Sequence, residues 1–132
     1  MKDRKNWKPH SYSSVSPYLV VASAQAVIDF AKAVFGATEL RRYEMPNGSI
    51  IHAEIRIDDT VVMLGDGGPE FPPFASLIHV YVNDVDEIYE RALEAGASSV
   101  EAPKTREGDP DKRGSVKDPC GNTWTIATQL SE

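Results

Sequence analysis

Cysteine is nearly absent from this sequence: Cys120 is the only one in 132 residues. A single thiol excludes an intramolecular disulfide framework and any zinc site built on a Cys-x-x-Cys pair. Long apolar runs are missing too. No stretch reaches the roughly 18 apolar residues that a membrane helix needs. The basic N-terminus has no apolar segment of the kind a secretion signal carries. The expectation is a cytoplasmic protein without a membrane partner. Basic residues are in the minority, 14 Lys and Arg against 20 Asp and Glu, for a net charge of −6. That balance argues against a nucleic-acid partner, because phosphate binding calls for a basic surface. The remaining composition is ordinary for a globular chain, with 41% hydrophobic and 26% charged residues. At this length folding buries roughly two thirds of the unfolded surface, so stability requires neither disulfide nor metal.

The most informative stretch is SVKDPCGNTWTIATQ, from Ser115 to Gln129. Asp118-Pro119-Cys120-Gly121-Asn122 reads as a tight turn, with Pro presetting φ and Gly supplying the positive φ a turn needs. Trp124 to Thr128 is rich in β-formers and alternates in polarity. A similar hairpin lies half a chain length earlier: Gly48-Ser49 precedes IIHAEIRIDDTVVMLG, as Gly114-Ser115 precedes the later one. The pairing suggests an internal duplication.

The flanking segments repeat as well. Residues 1–14 form a polar arm, which Trp7 and Tyr12 are expected to pin to the body; His10 reads as a solvated residue. The first unit, 15–66, opens with a strand from Val15 to Val21, its residues Val15, Pro17, Leu19 and Val21 facing one way. A helix from about Ala24 to Phe35 follows, capped by Ser23 and ended by Gly36, with Val27, Ile28, Ala31, Val34 and Phe35 on its apolar face. Strands over 38–45, 49–57 and 60–64 complete the unit. In the middle strand Ile51, Ala53, Ile55 and Ile57 alternate with Ile50, His52, Glu54 and Arg56. A linker, 67–76, contains Gly67-Gly68-Pro69 and Pro72-Pro73. The second unit, 77–130, again reads strand, helix (Asp84 to Ala95), three strands. Each half is therefore βαβββ, which makes the chain α+β. Lys104 to Arg113 reads as a charged loop.

Two βαβββ units, the segment HVYVNDVDEIYERALEAGA and the terminal VKDPCGNTWTIAT resemble the vicinal oxygen chelate superfamily. That superfamily holds glyoxalase I, bleomycin-resistance proteins and extradiol dioxygenases. The PhnB-like branch is the nearest in pattern: Gly48 with His52-Ala53-Glu54, and Asp118-Pro119-Cys120-Gly121 with Trp124, match its motifs. The resemblance covers about residues 15 to 129. It implies two tandem modules forming a cupped mixed sheet with helices on the outer face (the glyoxalase/bleomycin-resistance/dioxygenase fold), a homodimer, and a small-molecule ligand in the cup.

Strand parity and the resemblance together define candidate site residues. Ser16, Tyr18, His52, Glu54, Arg56, His79, Tyr81, Thr125 and Ala127 face the cup, while Trp124 and Ile126 lie under the helices. Ser16, Tyr18, His52, Arg56, Tyr81 and Thr125 are candidate ligand-binding residues; Glu54 and His79 are candidate acid–base residues. By the resemblance, the four ligand positions of metal-dependent members fall at Ser16, Val62 or Met63, His79 and Thr125. Only His79 is a good ligand for a transition metal. The expectation is a small-molecule-binding protein without the standard metal site and without a cofactor. The alternative is a metal-dependent lyase or dioxygenase, holding zinc, iron, manganese or nickel on His52, Glu54 and His79. The plain alternative for His52 and Glu54 is a satisfied polar pair, with Glu54 accepting from His52 or Arg56.

Overall fold

The computed structural model describes residues 5–132; the first four positions of the expected arm lie outside them. The elements run β1 (Tyr18–Val21), α1 (Ala24–Phe35), β2 (Thr38–Glu44), β3 (Ile50–Ile57), β4 (Thr60–Asp66), β5 (Leu77–Tyr81), α2 (Val85–Glu94), β6 (Ser98–Lys104), β7 (Asp111–Lys117) and β8 (Thr123–Gln129). Local chemistry sets the helix ends. Ser23 Oγ accepts from the Ala26 N–H at 3.2 Å, and Gly36 closes α1 in the left-handed region at φ 66°, where only glycine pays no Cβ penalty. Asp84 caps α2 by accepting from the Glu87 N–H at 3.2 Å.

The strands form two mixed sheets, β1-β4-β3-β2 and β5-β8-β7-β6. In each, the first strand runs parallel to the fourth and the other pairings are antiparallel. The tandem βαβββ architecture is thus present. Among the described residues no ladder joins the two sheets, and they do not close.

One hydrophobic core serves both modules. The apolar faces of the sheets carry Leu19, Val21, Ala53, Ile55 and Leu64 on one side and Val116, Trp124 and Ile126 on the other, all buried. The rings of Phe30 and Phe35 in α1 reach the Trp124 ring at 6.0 and 5.2 Å between centroids. Phe30 is buried although α1's own apolar stripe did not include it, because α1 is covered by the second module as well as by its own sheet. Tyr89 of α2 is buried in the same core.

The two hairpin openings are tied by carboxylates, Asp118 buried and Asp66 half-buried. Asp118 accepts from the Cys120 and Asn122 N–H groups at 2.8 and 3.1 Å, from Asn122 Nδ2 at 2.9 Å and from Trp124 Nε1 at 2.8 Å. Asn122 Oδ1 in turn accepts from the Ser76 N–H at 2.9 Å, fixing the start of β5. In the first module Asp66 accepts from the N–H groups of Ala24 and Ile50 at 2.7 and 2.8 Å. The Asp-Pro-Cys-Gly-Asn-x-Trp motif is therefore a structural knot.

Several expectations change. β1 begins at Tyr18, and Val15 is exposed. In β3 the alternation holds from His52 onward but reverses before it: Ile50 is buried and Ile51 is 53% exposed. The cause is a register shift against β2, where Tyr43 pairs with His52 but Glu44 pairs with Ile50. The extra residue of such a bulge turns its neighbours over. Ala127 pairs with Tyr81 and Arg113 and so shares their face as expected, but it is fully buried. The charged stretch 104–113 is loop over 105–110 only: Lys104 ends β6, and Asp111 to Arg113 begin β7.

Candidate functional site

The polar residues opposite the core fall into two groups, one on each sheet. The first is built on β3, where parity places His52, Glu54 and Arg56 on the face away from the helices. Glu54 is 3% exposed, yet it is fully satisfied. Its Oε2 accepts from His52 Nε2 at 2.7 Å and its Oε1 from the Tyr12 hydroxyl at 2.6 Å. Arg41 Nε lies 3.9 Å away. Burial pushes the Glu54 carboxyl up, but the hydrogen bonds from His52 and Tyr12 and the neighbouring positive charge outweigh it and hold the group below its ordinary value. The proton between His52 and Glu54 belongs on Nε2, which leaves Nδ1 to accept from the Tyr18 hydroxyl at 3.2 Å. Burial raises the Tyr18 phenol. The outcome is a chain, Tyr18 to His52 to Glu54 to Tyr12, with Tyr43 against the imidazole at 6.1 Å.

Tyr18 stands at the mouth of a cavity of about 330 Å³ lined by Val20, Ile51, Gly65 and Phe71. Gly65 forms its floor. A Cβ there would lie 2.5 Å from the Ile51 carbonyl oxygen and 3.1 Å from the Tyr18 hydroxyl. The bulge that exposes Ile51 also supplies this wall. A second cavity, about 460 Å³, lies beside Tyr12 and includes Ser16, Arg41 and Met63.

The second group is built on β5 and β7. Asp111 is 3% exposed and accepts from the Tyr81 hydroxyl at 2.6 Å and from Arg113 Nη2 at 2.8 Å. Arg113 also bonds Asp109 at 3.0 Å through Nε and contacts His79 Nε2. Its i, i+2 relation to Asp111 on a strand puts both on one face. Burial, then the Arg113 charge, lowers the His79 imidazole, with Asp111 opposing. The hydrogen bond to Asp111 raises the Tyr81 phenol. Thr125 Oγ1 lies 3.0 Å from Ser115 Oγ.

Sequence reasoning named His52, Glu54, Tyr18, His79 and Tyr81, and the structure ties them into these two groups. It anticipated that Glu54 accepts from His52 but missed the other partners. Arg41 lies on the neighbouring strand, and Asp109, Asp111 and Arg113 were read as loop. Tyr12 does pin the arm, whereas Trp7 is 66% exposed. No hydrogen bond or ring contact among the described residues joins the His52 group to the His79 group. Among the described residues His52, Glu54 and His79 are not brought together as a set: the first two pair on β3 and His79 stands on β5. Among the described residues no cluster of three His, Cys, Asp or Glu side chains is placed to share a metal ion.

The chain was compared with known proteins. A sequence profile described as the Glyoxalase/Bleomycin resistance protein/Dioxygenase superfamily matches residues 14–126. The chain belongs to that superfamily. Rv0887c of Mycobacterium tuberculosis, described as uncharacterized, is 38% identical over 130 residues, 90% of this chain and 76% of its own length. Mb0911c of Mycobacterium bovis, likewise described, is also 38% identical, with 85% of its length covered. Among solved structures, TioX from Micromonospora sp. ML1 superposes with a TM-score of 0.74 at 26% identity, covering 89% of this chain and 99% of that one. The PhnB protein from Bacillus cereus (TM-score 0.71, 15% identity, 88% and 99% covered) shares the fold. So does the fosfomycin resistance protein FosX from Listeria monocytogenes (TM-score 0.68, 15% identity, 88% and 92% covered).

Glyoxalase-superfamily enzymes often hold a divalent metal, and the ligand positions expected from the resemblance test whether these residues fit one. Val62 is buried in the core and Met63 lines the Tyr12 cavity. Ser16 and Thr125 offer only neutral hydroxyls, and His79 is engaged by Arg113. Hydroxyls, a thioether and one imidazole do not match the donors a divalent metal selects. The donor set does not fit. No helix among the described residues is long and apolar enough to cross a membrane.

Proposed function

We propose that this member of the glyoxalase/bleomycin-resistance/dioxygenase superfamily is a small-molecule-binding protein that acts without the superfamily's standard four-ligand metal site, as a homodimer in the cytoplasm. One observation carries the reading: the hydrogen-bonded chain Tyr18–His52–Glu54, anchored on the buried Glu54, ends at an aromatic-lined cavity of about 330 Å³. A mostly apolar cavity with a few fixed polar groups is the usual form of a small-molecule site. The ligand-binding roles go to Tyr18, His52 and Arg56 on the first sheet and to Tyr81 and Thr125 on the second, with Ser16 at the Tyr12 cavity. Glu54 and His79 take the acid–base roles.

The homodimer follows from what one chain leaves open. Leu77 and Tyr81 of β5 are 73% and 60% exposed, and Phe71 and Phe74 of the linker are 73% and 56% exposed. These apolar side chains adjoin both polar faces. A second copy covering them would bury apolar surface and enclose the cavity. The free thiol of Cys120 suits a reducing compartment.

The test is a thermal-shift and calorimetric panel of planar aromatic and fosfomycin-sized ligands, run on chelator-treated protein beside sedimentation. Saturable binding in chelator, to a dimer, is the expected result. Binding that appears only after adding zinc, iron, manganese or nickel would overturn the metal-free reading, and a monomer under all conditions would overturn the dimer.

A further inference from the structure

The arm that precedes β1 lays one side chain across the face just described, and its setting is that of a bound ligand. The Tyr12 hydroxyl donates to Glu54 Oε1 at 2.6 Å, a short bond to a carboxylate that is 3% exposed. Two guanidinium groups stand over the Tyr12 ring, Arg41 at 5.6 Å and Arg56 at 5.7 Å from its centroid. Cations placed over an aromatic face attract it through the ring quadrupole. Arg56 also holds the backbone, donating from Nη1 to the Ser11 carbonyl at 2.9 Å. A buried anionic acceptor plus two cations over the ring is a complete set of contacts for a phenol.

All of these recognition groups belong to β2 and β3, while the phenol they recognise belongs to a segment outside both sheets. The arm is lightly held elsewhere. Trp7 and Val15 are 66% and 83% exposed and give it no apolar anchor. Ser11, which aims Tyr12 at Glu54, sits at φ 65°, a region that side-chain-bearing residues rarely adopt. A cavity of about 460 Å³ already opens beside the ring, between Trp7, Ser16, Arg41 and Met63.

We propose that Tyr12 is a built-in, displaceable occupant of a phenol-binding subsite formed by Glu54, Arg41 and Arg56, and that the ligands of this protein are aromatic molecules carrying a phenolic hydroxyl. This rests on the reading of that face as a small-molecule site. A ligand phenol takes over the bond to Glu54, and the arm leaves the sheet or folds over the ligand. The ionised state of Glu54 suits it to accept such a bond.

The probes are 4-methylphenol, which reproduces the Tyr12 side chain, and toluene, which lacks only the hydroxyl. Both are titrated calorimetrically into the full chain and into Tyr12→Ala, with backbone NMR signals of residues 11–14 followed in the wild type. Tyr12→Ala is expected to bind 4-methylphenol at least about tenfold more tightly than the wild type does, and at least about tenfold more tightly than it binds toluene, a loss of about 1.4 kcal/mol or more for leaving the buried carboxylate unpaired. In the wild type, saturating 4-methylphenol shifts the arm signals. Equal affinity of Tyr12→Ala for the two probes overturns the phenol assignment. Wild-type arm signals that stay in place at saturation overturn the displacement and make the arm a fixed strap. Should Tyr12→Ala fail to fold, Tyr12→Phe keeps the ring and frees Glu54, and the same tenfold comparisons apply to it. If 4-methylphenol fails with the variants while another ligand of the panel binds, the phenol subsite alone is wrong; if nothing binds, the small-molecule reading falls with it.

Discussion

Replacing Glu54 by glutamine keeps the shape of the side chain and removes its charge, which isolates what the buried carboxylate contributes. In the wild type, Oε1 and Oε2 each accept one bond, from Tyr12 at 2.6 Å and from His52 at 2.7 Å. Glutamine keeps one acceptor and presents an amide N–H₂ on the other side. The chain survives either with the amide donating to the Tyr12 oxygen, or with His52 changing tautomer, accepting from the amide at Nε2 and donating from Nδ1 to the Tyr18 oxygen. Both bonds then become neutral. Hydrogen bonds to charged groups contribute about 1.5–3 kcal/mol and neutral ones about 0.5–1.5, so two conversions lose roughly 2–3 kcal/mol. Relief of charge burial returns part of that, and the half-exposed Arg41 pair at 3.9 Å adds little. The expected net loss is about 2 kcal/mol by urea unfolding at about pH 7, or roughly 7 °C in Tm for a chain of this length. The pH dependence supplies the sharper test. The folded Glu54 value lies below its unfolded one, so its stabilisation is complete above the ordinary carboxylate value of about 4.3 and is lost as pH falls through the folded value. A protonated glutamate resembles glutamine, so the gap between the two proteins narrows below about pH 4. A gap under about 0.5 kcal/mol at neutral pH, or one that persists unchanged to about pH 3, would show that the charge on Glu54 does not stabilise the fold.

Three further outcomes follow from the same geometry. Asp118→Asn turns an amide toward the Trp124 and Asn122 donors and is expected to destabilise by about 3 kcal/mol or more in chemical denaturation, since each orphaned buried donor costs about 1–3 kcal/mol; a change within experimental error would show that Asp118 does not tie this hairpin. His79 should titrate below the ordinary imidazole value in an NMR series, and Arg113→Gln should move it back up. Its neutral form then supports the fold fully above that ordinary value, and the support shrinks as pH falls toward the folded value; a wild-type His79 that titrates at or above the ordinary value would contradict this. Gly65→Ala places a methyl group 2.5 Å from the Ile51 carbonyl oxygen and 3.1 Å from the Tyr18 hydroxyl; backbone must shift, so a loss of about 1–3 kcal/mol together with weaker ligand binding is expected, and unchanged thermal stability would mean that the floor of the cavity yields freely.

The helices and most strands were legible because their determinants are local. Ser23 and Gly36 bound α1, and Asp84 caps α2. Val27, Ile28, Ala31 and Val34 form a helical stripe, and Ala53, Ile55 and Ile57 alternate along β3. The repeat of strand, helix and three strands, with Gly48-Ser49 echoed by Gly114-Ser115, was enough to set the fold class and to point to the superfamily. Parity combined with the resemblance also put His52, Glu54 and His79 on the faces opposite the core.

What parity cannot carry is register and company. The bulge in β3 exchanges Ile50 and Ile51, and it depends on how β2 pairs, not on β3's own sequence. Phe30 is buried because the second module lies against α1, a fact about module packing. Asp111 and Arg113 looked like solvated loop charges, yet on β7 they become the partners of Tyr81 and His79. The same holds for the pairing of Tyr12 with Glu54, 42 positions apart. Local sequence set most of the elements, their duplication and, outside the bulge, the face that strand residues take, because backbone geometry enforces those over a few residues. Which polar groups meet was left to the tertiary structure, because hydrogen bonds between distant segments depend on the docking of sheets, helices and arm, and no local period encodes that.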